Sequence, residues 1–102
     1  MNIESAVDFL NSEIEAENEF QAGPDATGSS MSPLLTEMRD RVAAGDKPSA
    51  EEFRTWVWGL YEATQSPMGY TDSDTVDGIV ECLIEDVLDA DEIEKFYETF
   101  YD

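Results

Sequence analysis

Glu81 and Glu85 stand four residues apart, the spacing that places two carboxylates on one helix face. Two such groups act as acid and base only where their environments drive the pKa values apart. A solvent-facing row of like groups gives both the same environment, so the pair points to no acid–base chemistry. The run Thr71-Asp-Ser-Asp-Thr-Val-Asp-Gly78 has the look of a calcium loop. With Asp72 as first ligand, Asp74 fits the third position. The fifth is then Val76, the glycine falls one place late, and Leu83 stands where the twelfth position needs Glu. The run is no EF-hand, and leaves only adventitious divalent binding at Asp72–Asp77 or Asp86–Asp91. Asp72 or Ser73 suits a helix N-cap better, with acids on the first turn favoured by the helix dipole.

Cys82 is the sole cysteine, so no internal disulfide can form, which suits a reducing compartment. It lies off its helix's apolar stripe, among acids, the reverse of the electropositive setting of reactive cysteines. The expectation is a bland, partly buried thiol. The chain has no histidine, which excludes Ser-His and Cys-His catalysis and the usual zinc and iron sites. No enzyme activity, cofactor or metal site is expected.

What remains is charge. The 102 residues carry 25 acids against 5 Lys plus Arg, a formal net charge of −20. Phosphate backbones are bound by cations that release counterions, and anionic membrane surfaces by basic clusters. Neither nucleic acid nor membrane is therefore expected as a direct partner. Hydrophobic residues still make up 41% and aromatics 11%, too many for an acidic disordered tail, so the chain should fold. The opening Met-Asn-Ile-Glu-Ser has no basic region followed by an apolar run, and a cytoplasmic location is expected.

Apolar spacing predicts an all-α protein, a compact single-domain bundle of about five short helices over residues 1–102. The first spans 3–20, with Ile3, Val7, Leu10 and Ile14 as its stripe. A flexible loop follows over about 21–32, holding Gly23-Pro24, Gly28 and a serine pair. The second helix opens with Ser32 as N-cap and Pro33 in the first turn and runs to Ala44, with Leu34, Met38 and Val42 inward. Ser49 and Glu52 form a capping box for a third helix over 50–64, whose inner face is Phe53, Trp56, Val57, Leu60 and Thr64. The fourth, about 73–88, turns Val76, Ile79, Val80, Leu83, Ile84 and Val87 inward. The last, about 91–101, buries Ile93, Phe96, Tyr97 and Phe100.

On these helices the acids form ridges. Glu4, Asp8, Glu15 and Glu19 share one side of the first helix, with Glu13 and Glu17 on the other flank. Asp74, Asp77, Glu81 and Glu85 line the fourth, with Asp89 slightly off the row, and Glu94, Glu98 and Asp102 line the fifth. Residues 31–70 hold four of the cations, Arg39, Arg41, Lys47 and Arg54, and are nearly neutral. Like charges at i, i+4 destabilise a helix by roughly 0.2–0.5 kcal/mol per pair, and mere solubility is reached by interspersing Lys. Carboxylates spaced ~6 Å along a helix axis approach the phosphate spacing of a nucleic-acid strand. In charge, size and helicity the chain resembles the small acidic DNA-mimic inhibitors used by phages and mobile elements against restriction enzymes, CRISPR effectors or repair enzymes. That resemblance implies a non-enzymatic inhibitor occupying the DNA- or RNA-binding groove of a basic host protein. The partner-binding set is then Glu4, Asp8, Glu15, Glu19, Asp74, Asp77, Glu81, Glu85, Asp89, Glu94 and Glu98. The competing expectation is a halophile's acidic interaction or adaptor domain, binding a basic partner protein and charged for solvation in brine.

Aromatics give a second signal. Trp58 falls on the outer side of its helix with Arg54 one turn earlier, Tyr61 and Tyr101 sit at the boundary, and Phe9 and Phe20 share a flank of the first helix. Trp58, Arg54 and Arg39 are the residues expected to serve self-association into a homodimer, because the lower charge there lets two copies approach.

Overall fold

Helix-terminus chemistry sets most of the boundaries. In the computed structural model, which describes residues 2–23, 30–65 and 73–100, α1 spans Ile3–Gln21, α2 Ser32–Ala43, α3 Ala50–Thr64, α4 Ser73–Val87 and α5 Ala90–Phe100. No strand occurs among the described residues. Asn2 caps α1, its Oδ1 accepting from the Ser5 amide at 3.2 Å. The Ser49–Glu52 capping box forms at α3 in both directions, each bond 3.1 Å long. After α2, Gly45 adopts φ +78°, its amide reaches Val42 O at 2.9 Å and the Asp46 amide reaches Arg41 O at 3.0 Å. This is a Schellman stop, and the left-handed residue in it favours glycine.

The start of α2 differs from expectation. Ser32 is the first helical residue rather than the cap, Met31 holds the cap position, and no side chain caps the helix. The Ser32 hydroxyl instead donates to Asn18 Oδ1 at 2.6 Å, tying α2 to α1, while Ser30 Oγ accepts from the Ser32 amide at 3.1 Å. Ser73 is likewise the first residue of α4. Asp72, Tyr101, Asp102 and residues 24–29 of the expected loop lie outside the described residues.

Contacts define the packing. Asn18 meets Ser32 and Asn11 meets Arg39, so α1 and α2 are antiparallel. Trp56 Nε1 donates to Leu34 O at 2.8 Å and Arg41 pairs with Glu52, so α3 runs back along α2. A Cβ at Gly59 would lie 3.1 Å from Leu34 Cδ1, so α2 and α3 approach closely there and a larger residue would require Leu34 to shift. Tyr61 near the end of α3 donates to Asp77 near the start of α4. Phe53 packs edge-on against Phe96 with centroids 5.3 Å apart, and Trp58 lies 5.2 Å from Phe100, so α3 and α5 run parallel. The helices thus alternate in direction in a flattened body of 41 × 31 × 16 Å.

All five helices feed one apolar cluster. The expected inner faces of α3 and α4 are buried as read, apart from half-buried Thr64. On α1 the buried line is rotated: Ala6 and Leu10 are fully enclosed, Val7 and Ile14 are half-buried, and Ile3 is 40% exposed. On α2 Leu35 is buried and Leu34 only partly so. On α5 Phe96 is fully buried, Ile93 and Phe100 are half-buried, and Tyr97 is 41% exposed. Cys82, expected partly buried, is exposed, because the closely set inward side chains of α4 leave it on the outer face.

One end of the body gathers the start of α1, the α2–α3 connection and the α4–α5 connection. There the Asn2 amide donates to Asp86 O at 2.8 Å and Ser5 Oγ to Asp86 Oδ2 at 2.8 Å. Lys47 pairs with Asp89, and the Ala50 amide donates to Glu92 Oε2 at 2.6 Å. We call this the junction end. Ser49→Ala should lower stability by about 0.5–2 kcal/mol, the cost of losing an N-cap. Ser32→Ala, which removes no cap, should cost less, and urea unfolding midpoints of the two variants check the order.

Candidate partner-binding surface

The ridge acids fall into two groups. On α1, Glu4, Asp8, Glu15 and Glu19 are exposed on the side away from Ala6 and Leu10. On α4, Asp74, Glu81 and Glu85 are exposed, as are Glu94 and Glu98 on α5. Among the described residues none of these makes a side-chain hydrogen bond or ion pair. Asp77 and Asp89 are different. Asp77 is half-buried and accepts from the Tyr61 hydroxyl, and Asp89 is bound to Lys47, which holds its carboxyl below the usual range. The first carboxylate joins α3 to α4, and the second joins the α2–α3 connection to the α4–α5 connection.

The cations explain the split. Arg41 Nη1 lies 2.6 Å from Glu52 Oε2, and its Nε 3.2 Å from Asp46 Oδ2. Lys47 takes Asp89, Lys95 lies 3.4 Å from Glu92 Oε1, and Arg39 lies 3.1 Å from Asp40 while donating to Asn11 Oδ1 at 3.1 Å. Among the described residues Arg54 alone of the cations makes no ion pair. Four of these pairs, two of Arg41 and one each of Lys47 and Lys95, sit at or beside the junction end, so most of the positive charge is consumed there. The helices running away from it, α1, α3 and α5, end with no basic residue in the last turn. Their negative dipole ends add to the acids of that region.

Glu13 and Glu17 were expected on the flank of α1 across the apolar stripe from the ridge. Both are half-buried instead, on the same row as Ala6 and Leu10. Glu17 Oε1 accepts from Gln21 Nε2 at 2.9 Å and from the Met31 amide at 3.4 Å. Burial, and then the neighbouring Glu17 charge, push the Glu13 pKa up. The row Ala6–Leu10–Glu13–Glu17 has the i, i+4, i+7, i+11 spacing of a helix face, a signal present in the sequence but masked by its two acids. Glu92 was another residue sequence reasoning passed over: it accepts the first free amide of α3 from α5.

The residues expected to serve self-association separate. Trp58 is 52% exposed, its ring 5.7 Å from Tyr61 and 5.2 Å from Phe100, and Arg54 lies one turn before it. Arg39 is committed to α1 through Asn11 and no contact joins it to them. A groove of about 350 Å³ between α3 and α5 is lined by Ser49, Ala50, Glu51, Arg54, Glu92, Lys95 and Thr99. A second, of about 410 Å³, lies between α2 and α3, with Glu37, Arg41, Glu51 and Glu52 on its walls. Among the described residues no three His, Cys, Asp or Glu side chains gather as metal ligands do. Among them, too, no helix is long and apolar enough to cross a membrane. No family model, curated protein or solved structure matches this chain.

Two titrations carry signed expectations. The Arg41 guanidinium, and then the Ser49 amide, lower the Glu52 pKa from 4.5 to about 2. A carboxyl depressed in the folded state stabilises it above the unfolded pKa, and that contribution is lost as pH falls from 4.5 toward 2. Glu52→Gln should therefore flatten this part of the acid-unfolding curve and lower stability at pH 7. Glu13, shifted upward, has the opposite sign: the fold gains as pH falls through its raised pKa. Glu13→Gln should stabilise the protein at pH 7 and remove that gain, as read from melting temperature against pH.

Proposed function

We propose that this protein is a non-enzymatic nucleic-acid mimic, whose exposed carboxylates occupy the DNA- or RNA-binding groove of a basic partner protein in the cytoplasm. The observation that carries the reading is the disposition of charge. The cations are mostly bound to acids at helix junctions, while Glu4, Asp8, Glu15, Glu19, Asp74, Glu81, Glu85, Glu94 and Glu98 stand exposed without side-chain partners among the described residues. A row of unpaired carboxylates is costly within its own helix, and a set of Lys and Arg side chains would offset that cost. Such a set is what a phosphate-binding groove presents. The array is rigid before contact, which lowers the ordering cost of binding, and its field would speed encounter with a positive groove. A phage-encoded inhibitor of a host defence complex, anti-CRISPR or anti-restriction in kind, fits these requirements. Homodimerisation is compatible with them, provided the ridges stay outside the interface.

The contact set is Glu4, Asp8, Glu15, Glu19, Asp74, Glu81, Glu85, Glu94 and Glu98. Asp77 and Asp89 leave the set expected from sequence, since each is engaged inside the fold. The test is capture of nucleic-acid-binding proteins on the immobilised chain, followed by elution with duplex DNA or with RNA. Nucleic acid should displace the captured proteins, and reversal of Asp74, Glu81 and Glu85 to Lys should abolish capture with helicity unchanged. Capture that neither polymer displaces, or that survives the triple reversal, contradicts the proposal.

A further inference from the structure

On the outer side of α3, Arg54, Trp58 and Glu62 follow one another at intervals of four residues. That interval defines a continuous ridge on a helix surface, drifting about 40° per step and rising ~6 Å. The ridge reads cation, aromatic, anion, and it is symmetric about Trp58. Turned by a two-fold axis through Trp58, it meets its own complement: Arg54 falls opposite Glu62 of the partner subunit, and Glu62 opposite the partner's Arg54. This is the self-complementarity an isologous contact demands. Trp58 is 52% exposed, the most exposed large hydrophobic side chain among the described residues. Arg54 makes no ion pair among the described residues, and Glu62 is exposed with no side-chain partner among them.

Ridges of this spacing interlock at a crossing angle of about 50°. Points ~6 Å from the crossing on each helix then remain within reach of an arginine side chain. Trp and Arg, here exposed Trp58 and half-buried Arg54, are among the residue types that most often anchor interfaces.

We propose that the chain forms a two-fold homodimer through α3, in which Trp58 packs on Trp58 and Arg54 pairs reciprocally with Glu62. Electrostatics gives this contact a distinctive sign. Two bodies of net charge −20 repel, and the repulsion shrinks as the screening length falls from ~14 Å at 0.05 M to ~4 Å at 0.5 M salt. The dimer should therefore tighten as salt is added, by about tenfold or more over that range, whereas binding of a cationic partner weakens. The inference is independent of what the ridges bind, because α1 and the exposed acids of α4 take no part in it.

Sedimentation velocity on the full chain at increasing NaCl tests the proposal. The wild-type chain should dimerise as salt rises, and Trp58→Ala should remain a monomer. Arg54→Glu and Glu62→Arg should each be monomeric alone, because each sets like charges against each other twice. Mixed together they should form a one-to-one heterodimer, because every 54–62 contact is again opposite in sign. That rescue also shows that neither variant is unfolded. A wild-type chain that stays monomeric at about 0.5 M NaCl, a dimer that survives Arg54→Glu, or a mixture that fails to associate overturns the proposal.

Discussion

Self-repulsion is the constraint on which the rest of this structure depends. A net charge of −20 is carried by a body only 16 Å thick. In water, two like charges ~6 Å apart repel by about 0.7 kcal/mol, and the ridges contain many such neighbours. The fold answers by position. Arg41, Lys47 and Lys95, with the amides of Asn2 and Ala50, satisfy Glu52, Asp46, Asp89, Glu92 and the Asp86 carbonyl where helix ends converge. A solvent-exposed pair adds only ~0–1 kcal/mol. At the junction end these pairs also orient α3 and α5, whose first turns carry Glu51, Glu52, Asp91 and Glu92 where a helix dipole favours negative charge.

Spending the cations at that end leaves the remaining surface uncompensated. The exposed acids of α1, α4 and α5 rest on a core in which Phe53, Phe96, Leu83 and Leu60 are fully enclosed. The array is therefore held by packing, and its spacing follows from helix geometry. Roles divide along the chain: α3 and its neighbours hold the core and the least acidic outward face, and the first and fourth helices hold most of the free carboxylates.

Much of this was legible in the sequence, for reasons that differ by element. The α3 start followed from a capping box, and the α4 face from six apolar residues at helical spacing. Local chemistry decided both. The α1 face was misjudged because Ile3 and Ile14 outweighed small Ala6, which is fully enclosed. The same error placed Glu13 and Glu17 on a flank of the stripe, although they share the row of Ala6 and Leu10. Ser32 carries the signature of a cap, yet the helix begins at that residue and its hydroxyl turns to Asn18. Asp77 and Asp89 were grouped with the ridge acids by helical angle alone. Their partners, Tyr61 and Lys47, lie on other elements, and no local pattern announces such pairings.

On the proposed function, the fold manages its own repulsion, and the surplus charge serves a partner rather than solvation in brine. A thermal melt followed by circular dichroism, from about 0.1 M to about 2 M KCl, tests this most directly, since that range removes nearly all screening-sensitive repulsion. The account predicts a cooperative, helical protein already at about 0.1 M, with salt raising the melting temperature only moderately. A chain that is unfolded there and acquires structure only in molar KCl would contradict it.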